Sequence, residues 1–192
     1  MKPVVLASSS PRRKELLEKI GLKFTVDPVE VDEELSLEHD PLRLAKSISL
    51  KKALAAGKRH PEALIIAADT LGVIDGKRLG KPAGEAQAVA MLEELSGNCH
   101  RVITGFTLID GVTGRTVSRA VQTMVYFRKL SKAEITDYVN TGEPLDKAGA
   151  YAIQGLGALL VERIDGDYYN VIGLPLSALA VELRKFGIKL PG

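Results

Sequence analysis

The sequence holds a single cysteine, Cys99, so no disulfide can form within the chain and no CxxC pair offers a metal or redox site. No apolar run approaches the roughly 20 residues of a membrane-spanning helix. Residues 4–7 are apolar but far too few for a secretory signal, and Arg12 and Arg13 follow them. A dominant sign of charge is also lacking. Lys and Arg number 26 and Asp and Glu 24, a formal net charge of +2, so no global field argues for DNA, RNA or an anionic membrane. Aromatics are 5% of residues, and no basic stripe is interleaved with stacking side chains, which speaks against a nucleic-acid-binding module. His39, His60 and His100 stand apart, without metal-ligand spacing. These absences leave a soluble cytoplasmic protein with neither nucleic acid nor membrane as partner. Any anion binding must then come from a local arrangement of Lys and Arg.

What is present is ordinary globular material: 192 residues, 45% hydrophobic and 26% charged, enough for a core. There is no repeat, low-complexity tract or linker, so residues 1–192 read as one domain, or as one sheet with two lobes around a central cleft. Val4 to Ala7 reads as a buried strand, and Pro11 to Gly21 as a helix with Ser10 before it. Phe24 to Val31 reads as a second strand and Leu42 to Ala56 as a helix. Leu64 to Ala68 has the continuous apolar character of a central strand buried on both faces. Asp75-Gly76 is the strongest hairpin signal. A helix over Glu85 to Leu95 and strands over Val102 to Asp110 and Thr116 to Phe127 follow. Ser131 and Glu134 are spaced as a capping box, Ala158 to Ile164 reads as a strand, and Leu176 to Phe186 as a closing helix. Interleaved strands and helices, with adjacent strands in the middle, predict an α/β fold with a mixed sheet.

The first helix start, LASSSPRRKELL, is unusual. A helix N-terminus has unsatisfied N–H groups and a partial positive charge, yet Arg12, Arg13 and Lys14 occupy its first turn where acidic residues are usual. Hydroxyls, N–H groups and guanidinium forks there would grip a polyphosphate; the plainer account is a basic turn screened by water and salt. Glu30, Asp32, Glu33 and Glu34 form either a solvated acidic loop or a hard-cation site. Asp69 follows the buried run and precedes Thr70, which places it at the C-terminal end of a central strand, where ligands of open α/β sheets collect. It can serve as base or metal ligand, or merely cap the next turn. Lys81, in Leu79-Gly80-Lys81-Pro82, lacks the spacing of a Walker A loop, and Gly155 and Gly157 do not complete a dinucleotide fingerprint. Cations, carboxylates and no covalent nucleophile favour direct, metal-assisted hydrolysis of a phosphoanhydride.

Six segments in order, LASSSPRRKELL, AADT, LGKP, LSGNCHRVITG, DKAGAYAIQG and GDYYNVIGLPL, resemble the Maf family of nucleotide pyrophosphatases over nearly the whole chain. The resemblance implies an elongated mixed sheet flanked by helices, like the inosine-triphosphatase fold, and often a homodimer. It implies house-cleaning hydrolysis of a nucleoside triphosphate to monophosphate and pyrophosphate with a divalent metal, Mg²⁺, Mn²⁺ or Co²⁺. Carried over by position, Asp69 is the general base acting on water at the α-phosphorus. Glu33 helps Asp69 hold the metal, with Asp32 the alternative if the loop is shifted by one residue. Arg12, Arg13, Lys52 and Lys81 bind and neutralise phosphates, and Ser8 adds a hydroxyl. Lys52 rests on one of two registers in Leu44 to Ala53, a stretch that departs from the family pattern. Thr70 and Gln154, with Arg13, match the branch accepting dTTP and UTP, with modified pyrimidine triphosphates as further candidates. Gln154 offers the donor and acceptor that a uracil or thymine edge can use. The contrasting expectation is a non-catalytic nucleotide-binding regulator of septum formation and cell division.

Overall fold

The computed structural model of the protein describes residues 2–31 and 38–190. Its elements in chain order are β1 (Val4–Leu6), α1 (Pro11–Lys19), β2 (Thr25–Val26), α2 (Pro41–Arg59), β3 (Leu64–Ile74) and β4 (Lys77–Leu79). There follow α3 (Glu85–Leu95), β5 (Cys99–Asp110), β6 (Thr116–Phe127), α4 (Lys132–Asn140), β7 (Val161–Asp165), α5 (Tyr168–Ile172) and α6 (Leu176–Lys185). Short 3-10 turns occupy Glu143–Asp146 and Leu156–Leu160. The strands pair in the order β2-β1-β3-β5-β6-β7, with β4 against β3. β1 runs parallel to β2 and β3, whereas β3–β4 and β6–β7 are antiparallel. The sheet is therefore mixed and accompanied by helices, the α/β class expected from the sequence.

The chain divides into two compact units: residues Met1–Thr70, Ile103–Val121 and Gly173–Gly192 form unit 1, and Leu71–Val102 and Gln122–Ile172 form unit 2. Strands β3, β5 and β6 contribute residues to both. In unit 1, Val5 and Ala7 meet Ile65 and Ala67 of β3, Ala53 and Ala56 of α2, and Ile109 of β5. Alanines on the inner side of α2 and a glycine on β5 let helix and strand approach closely. A Cβ on Gly105 would overlap the Ala45 carbonyl and stand 2.6 Å from the Lys46 nitrogen. In unit 2, α3 and α4 bury Leu92, Leu95, Ile135 and Val139 with Val125 and Phe127 of β6. Helix α4 starts with both halves of the Ser131–Glu134 capping box in place. The β3–β4 hairpin turns on Asp75 and Gly76, at φ of 46° and 79°, the left-handed pair that a two-residue hairpin requires.

Three elements differ from expectation. The second strand shrinks to Thr25–Val26, because its partner β1 ends at Leu6. Strand β3 does not stop at Ala68 but continues to Ile74 and enters the hairpin with β4, so Asp69 sits mid-strand and not at a strand end. Residues Leu156–Leu160 form a 3-10 turn, and the strand expected from Ala158 begins at Val161. The acidic residues Asp32, Glu33 and Glu34 lie outside the described residues.

Candidate active site

The start of α1 is built as local rules dictate. Ser10 has extended backbone angles and its side chain accepts from the Arg13 N–H, and Pro11 supplies the fixed φ of a first helical position. No acidic residue occupies the first turn. Arg12 and Arg13 are half-buried and Lys14 is exposed, where it pairs with Glu18 at 3.7 Å.

Arg13 donates to acceptors within unit 1. Nε donates to the Gly173 carbonyl at 2.9 Å, Nη1 to Ser8 Oγ at 3.0 Å and Nη2 to Thr70 Oγ1 at 3.0 Å. Ser8 is buried just beyond β1, so the guanidinium ties the chain before α1 to β3 and to the segment before α6. Thr70 Oγ1 lies 2.9 Å from Thr104 Oγ1 of β5, a fully buried hydroxyl. Gly173 has a φ of 128°, which side-chain-bearing residues rarely adopt, and this conformation presents its carbonyl to Arg13. Thr104 and Gly173 escaped the residue-by-residue reading. A threonine inside the apolar run of β5 was the available signal for the first; for the second it was a glycine between Ile172 and Leu174.

Beside Thr70, Asp69 is buried on β3. Lys52 of α2 donates from Nζ to Asp69 Oδ1 at 2.7 Å. The other oxygen, Oδ2, is buried and has no hydrogen-bond partner among the described residues. A buried carboxylate oxygen without a donor is costly, and a hard cation or a water would satisfy it. The donor chemistry therefore fits one position of a divalent metal. Among the described residues no group of three His, Cys, Asp or Glu side chains is arranged to hold one, and the further ligand expected at Glu33 or Asp32 falls outside them.

The structure thus brings together Ser8, Arg13 and Thr70 in one network, and Lys52 with Asp69 in a pair at the adjacent position of β3. Lys81 and Gln154 belong to unit 2. Lys81 is exposed after β4, where the Gly80 carbonyl accepts from the Gly149 N–H at 3.0 Å. Gln154 is exposed in the segment before the second 3-10 turn.

A family model described as Maf-like protein matches residues 3–186. The chain belongs to the Maf family. Members similar to it include the dTTP/UTP pyrophosphatase of Symbiobacterium thermophilum, 48% identical over 187 residues, 97% of this chain and 95% of that protein. The dTTP/UTP pyrophosphatase of Desulforamulus reducens is 45% identical over 190 residues, 99% of this chain and 100% of its own. Among solved structures, a HAM1 protein from Coxiella burnetii superposes with a TM-score of 0.56 at 16% identity, covering 96% of this chain and 100% of that one. That likeness establishes a shared fold. Among the described residues, no helix is long and apolar enough to cross a membrane.

Proposed function

We propose that the protein hydrolyses dTTP and UTP, with modified pyrimidine triphosphates as further substrates, to the nucleoside monophosphate and pyrophosphate. The names of its full-length relatives support the reaction. The observation that carries it at the site is the Asp69 carboxylate, with one oxygen held by Lys52 and the other buried and unpartnered among the described residues. A nucleotide-binding regulator of division would not need such a group, and no feature of the site favours that reading.

In this mechanism Lys52 holds the Asp69 carboxylate at Oδ1, and the carboxylate takes the proton from water as the water oxygen attacks the α-phosphorus. The bond from the α-phosphorus to the bridging oxygen breaks, and pyrophosphate leaves with the electron pair. Arg12 and Lys81 neutralise the polyphosphate, and Ser8 contributes a hydroxyl. Arg13, Thr70 and Gln154 select the base; the Gln154 amide has both the donor and the acceptor that a uracil or thymine edge matches. Asp69 and Glu33 are the residues that would hold a divalent cation, Mg²⁺, Mn²⁺ or Co²⁺. Such a cation supplies charge neutralisation at the phosphates. From the family resemblance the reading also carries a homodimer working in the cytoplasm.

Asp69→Asn keeps the shape and removes the base. It should lower pyrophosphate release from UTP by roughly 10²–10⁴-fold, the usual contribution of a general base, while UTP binding by calorimetry survives. Undiminished turnover with Mg²⁺, Mn²⁺ or Co²⁺ would remove Asp69 from the role.

A further inference from the structure

The segment that carries Gln154 is held by a closed circuit of hydrogen bonds inside unit 2. The Gly155 N–H donates to the Ala152 carbonyl at 3.1 Å, which makes a four-residue turn with Ile153 and exposed Gln154 at its centre. On the upstream flank, the Ala152 N–H donates to the Tyr138 hydroxyl oxygen at 3.2 Å. On the downstream flank, the N–H groups of Leu156 and Gly157 donate to Glu143 Oε2 and Oε1 at 3.0 and 2.9 Å. The Tyr138 hydroxyl closes the circuit by donating to Glu143 Oε1 at 2.7 Å. The fit leaves no room for side chains at the two glycines. A Cβ on Gly155 would overlap the Glu143 carboxylate, and one on Gly157 would lie 2.7 Å from both the Ala152 carbonyl oxygen and the Tyr138 hydroxyl.

We infer that Glu143 and Tyr138 are positioning residues for pyrimidine selection, gripping both flanks of the turn that presents Gln154. The inference rests on the reading of Gln154 as a base-selecting residue. Neither Glu143 nor Tyr138 need touch substrate. Tyr138 sits on α4 and Glu143 opens the 3-10 turn after it, so the circuit anchors an exposed turn to an element packed into the unit 2 core. Free in solution, a turn of this length has many conformations, and fixing one lowers the ordering cost when the base binds. The protonation states suit the task. Burial on its own would raise the Glu143 carboxyl, but the Gly157 N–H, the Tyr138 hydroxyl and the Leu156 N–H outweigh it and hold the group below its ordinary value, with Lys147 adding to the effect. Burial first, then the Glu143 hydrogen bond, push the Tyr138 hydroxyl far above its ordinary value, with Asp146 contributing. At neutral pH the tyrosine therefore donates and the carboxylate accepts.

The test is a selectivity ratio, kcat/KM for UTP over kcat/KM for CTP with Mg²⁺, because cytosine exchanges the uracil acceptor for a donor and a ratio is blind to the folded fraction. Glu143→Gln turns one acceptor oxygen into a donor facing an N–H, and Tyr138→Phe opens the circuit with less disturbance. Each should lower the ratio roughly tenfold, mainly through KM for UTP, and add little when combined with Gln154→Ala, since coupled groups do not act additively. Tyr138→Phe alone suffices if Glu143→Gln does not fold. If Gln154→Ala lowers the ratio but Tyr138→Phe leaves it at the wild-type value, the positioning role is overturned while the base reading stands. If Gln154→Ala leaves the ratio unchanged, base reading by Gln154 fails, and the positioning role falls with it.

Discussion

Lys52 reaches Asp69 with a side chain 13% exposed, and the carboxylate it meets is 9% exposed. An ion pair this sheltered is asymmetric in its energetics: attraction offsets the desolvation of both charges, but removing one partner leaves the other uncompensated. Lys52→Met should therefore destabilise the fold by about 3 kcal/mol, since it strands a buried carboxylate. Adding Asp69→Asn to that background should restore much of the loss, because an amide tolerates the site without a counter-charge. Urea unfolding of the two single variants and the double variant measures the coupling. Losses that merely add would show that the two groups are energetically independent. Thr70, the next residue on β3, differs in kind. It is held by neutral and charge-assisted hydrogen bonds to Thr104 and Arg13, so its place depends on geometry more than on charge balance.

At the scale of elements, the Lys52–Asp69 pair depends on how closely α2 lies on β5, since Lys52 projects from α2. Gly105 is a point of close contact, with the Ala45 carbonyl and the Lys46 nitrogen where a Cβ would stand. Backbone cannot rotate aside as a side chain can, so Gly105→Ala must push the helix off the strand. Overpacking of this kind should cost roughly 1–3 kcal/mol, read by urea unfolding, and should depress kcat for UTP more than the same loss of stability elsewhere. A variant with wild-type stability and turnover would show that helix and strand separate freely. Elements governed by neighbours in sequence were legible before the fold was known. Ser10, Pro11 and Arg13 mark the start of α1, Asp75-Gly76 marks the hairpin, and Ser131 with Glu134 marks α4, because each rule acts within four residues. Elements governed at a distance were not. The polar pair Asp69-Thr70 looks like the end of β3, yet pairing with β4 carries the strand on. The 3-10 turn at Leu156–Leu160 is held by a carboxylate 13 residues upstream. The Gly173 carbonyl that orients Arg13 lies 160 residues away. The family resemblance names Arg13, Thr70 and Gln154; Thr104 is marked only as a threonine inside an apolar run, and no local pattern in the chain marks Glu143.

Across the whole molecule, buried titratable groups set how stability depends on pH. In unit 1, the Lys2 hydrogen bond is the main cause holding the Asp110 carboxyl below its ordinary value. Glu182 is also held low: burial would raise it, but Lys185 and Arg119 outweigh that. With Glu143 of unit 2, these carboxylates stabilise the fold above their unfolded values, and that contribution is lost as pH falls through their depressed folded values. His100 acts earlier. It is 1% exposed, its Nε2 lies 2.9 Å from the Tyr151 hydroxyl, and it meets Phe127 and Tyr151 edge-on. Burial lowers its pKa from 6.5 to about 4. Below pH 6.5 the unfolded chain takes up a proton at His100 that the folded chain refuses, so stability declines until the folded pKa is reached. The full effect is about 3 kcal/mol, with a limiting slope of about 1.4 kcal/mol per pH unit. Urea unfolding at intervals between pH 7 and about pH 5 should show this limb in the wild-type protein, before the carboxylates contribute. His100→Gln, which can still hydrogen-bond the Tyr151 hydroxyl but does not titrate, should start from lower stability at pH 7 and lose the His100 part of the slope. Parallel curves for the two proteins would mean that His100 binds its proton equally in the folded and unfolded states, against its burial among aromatic rings.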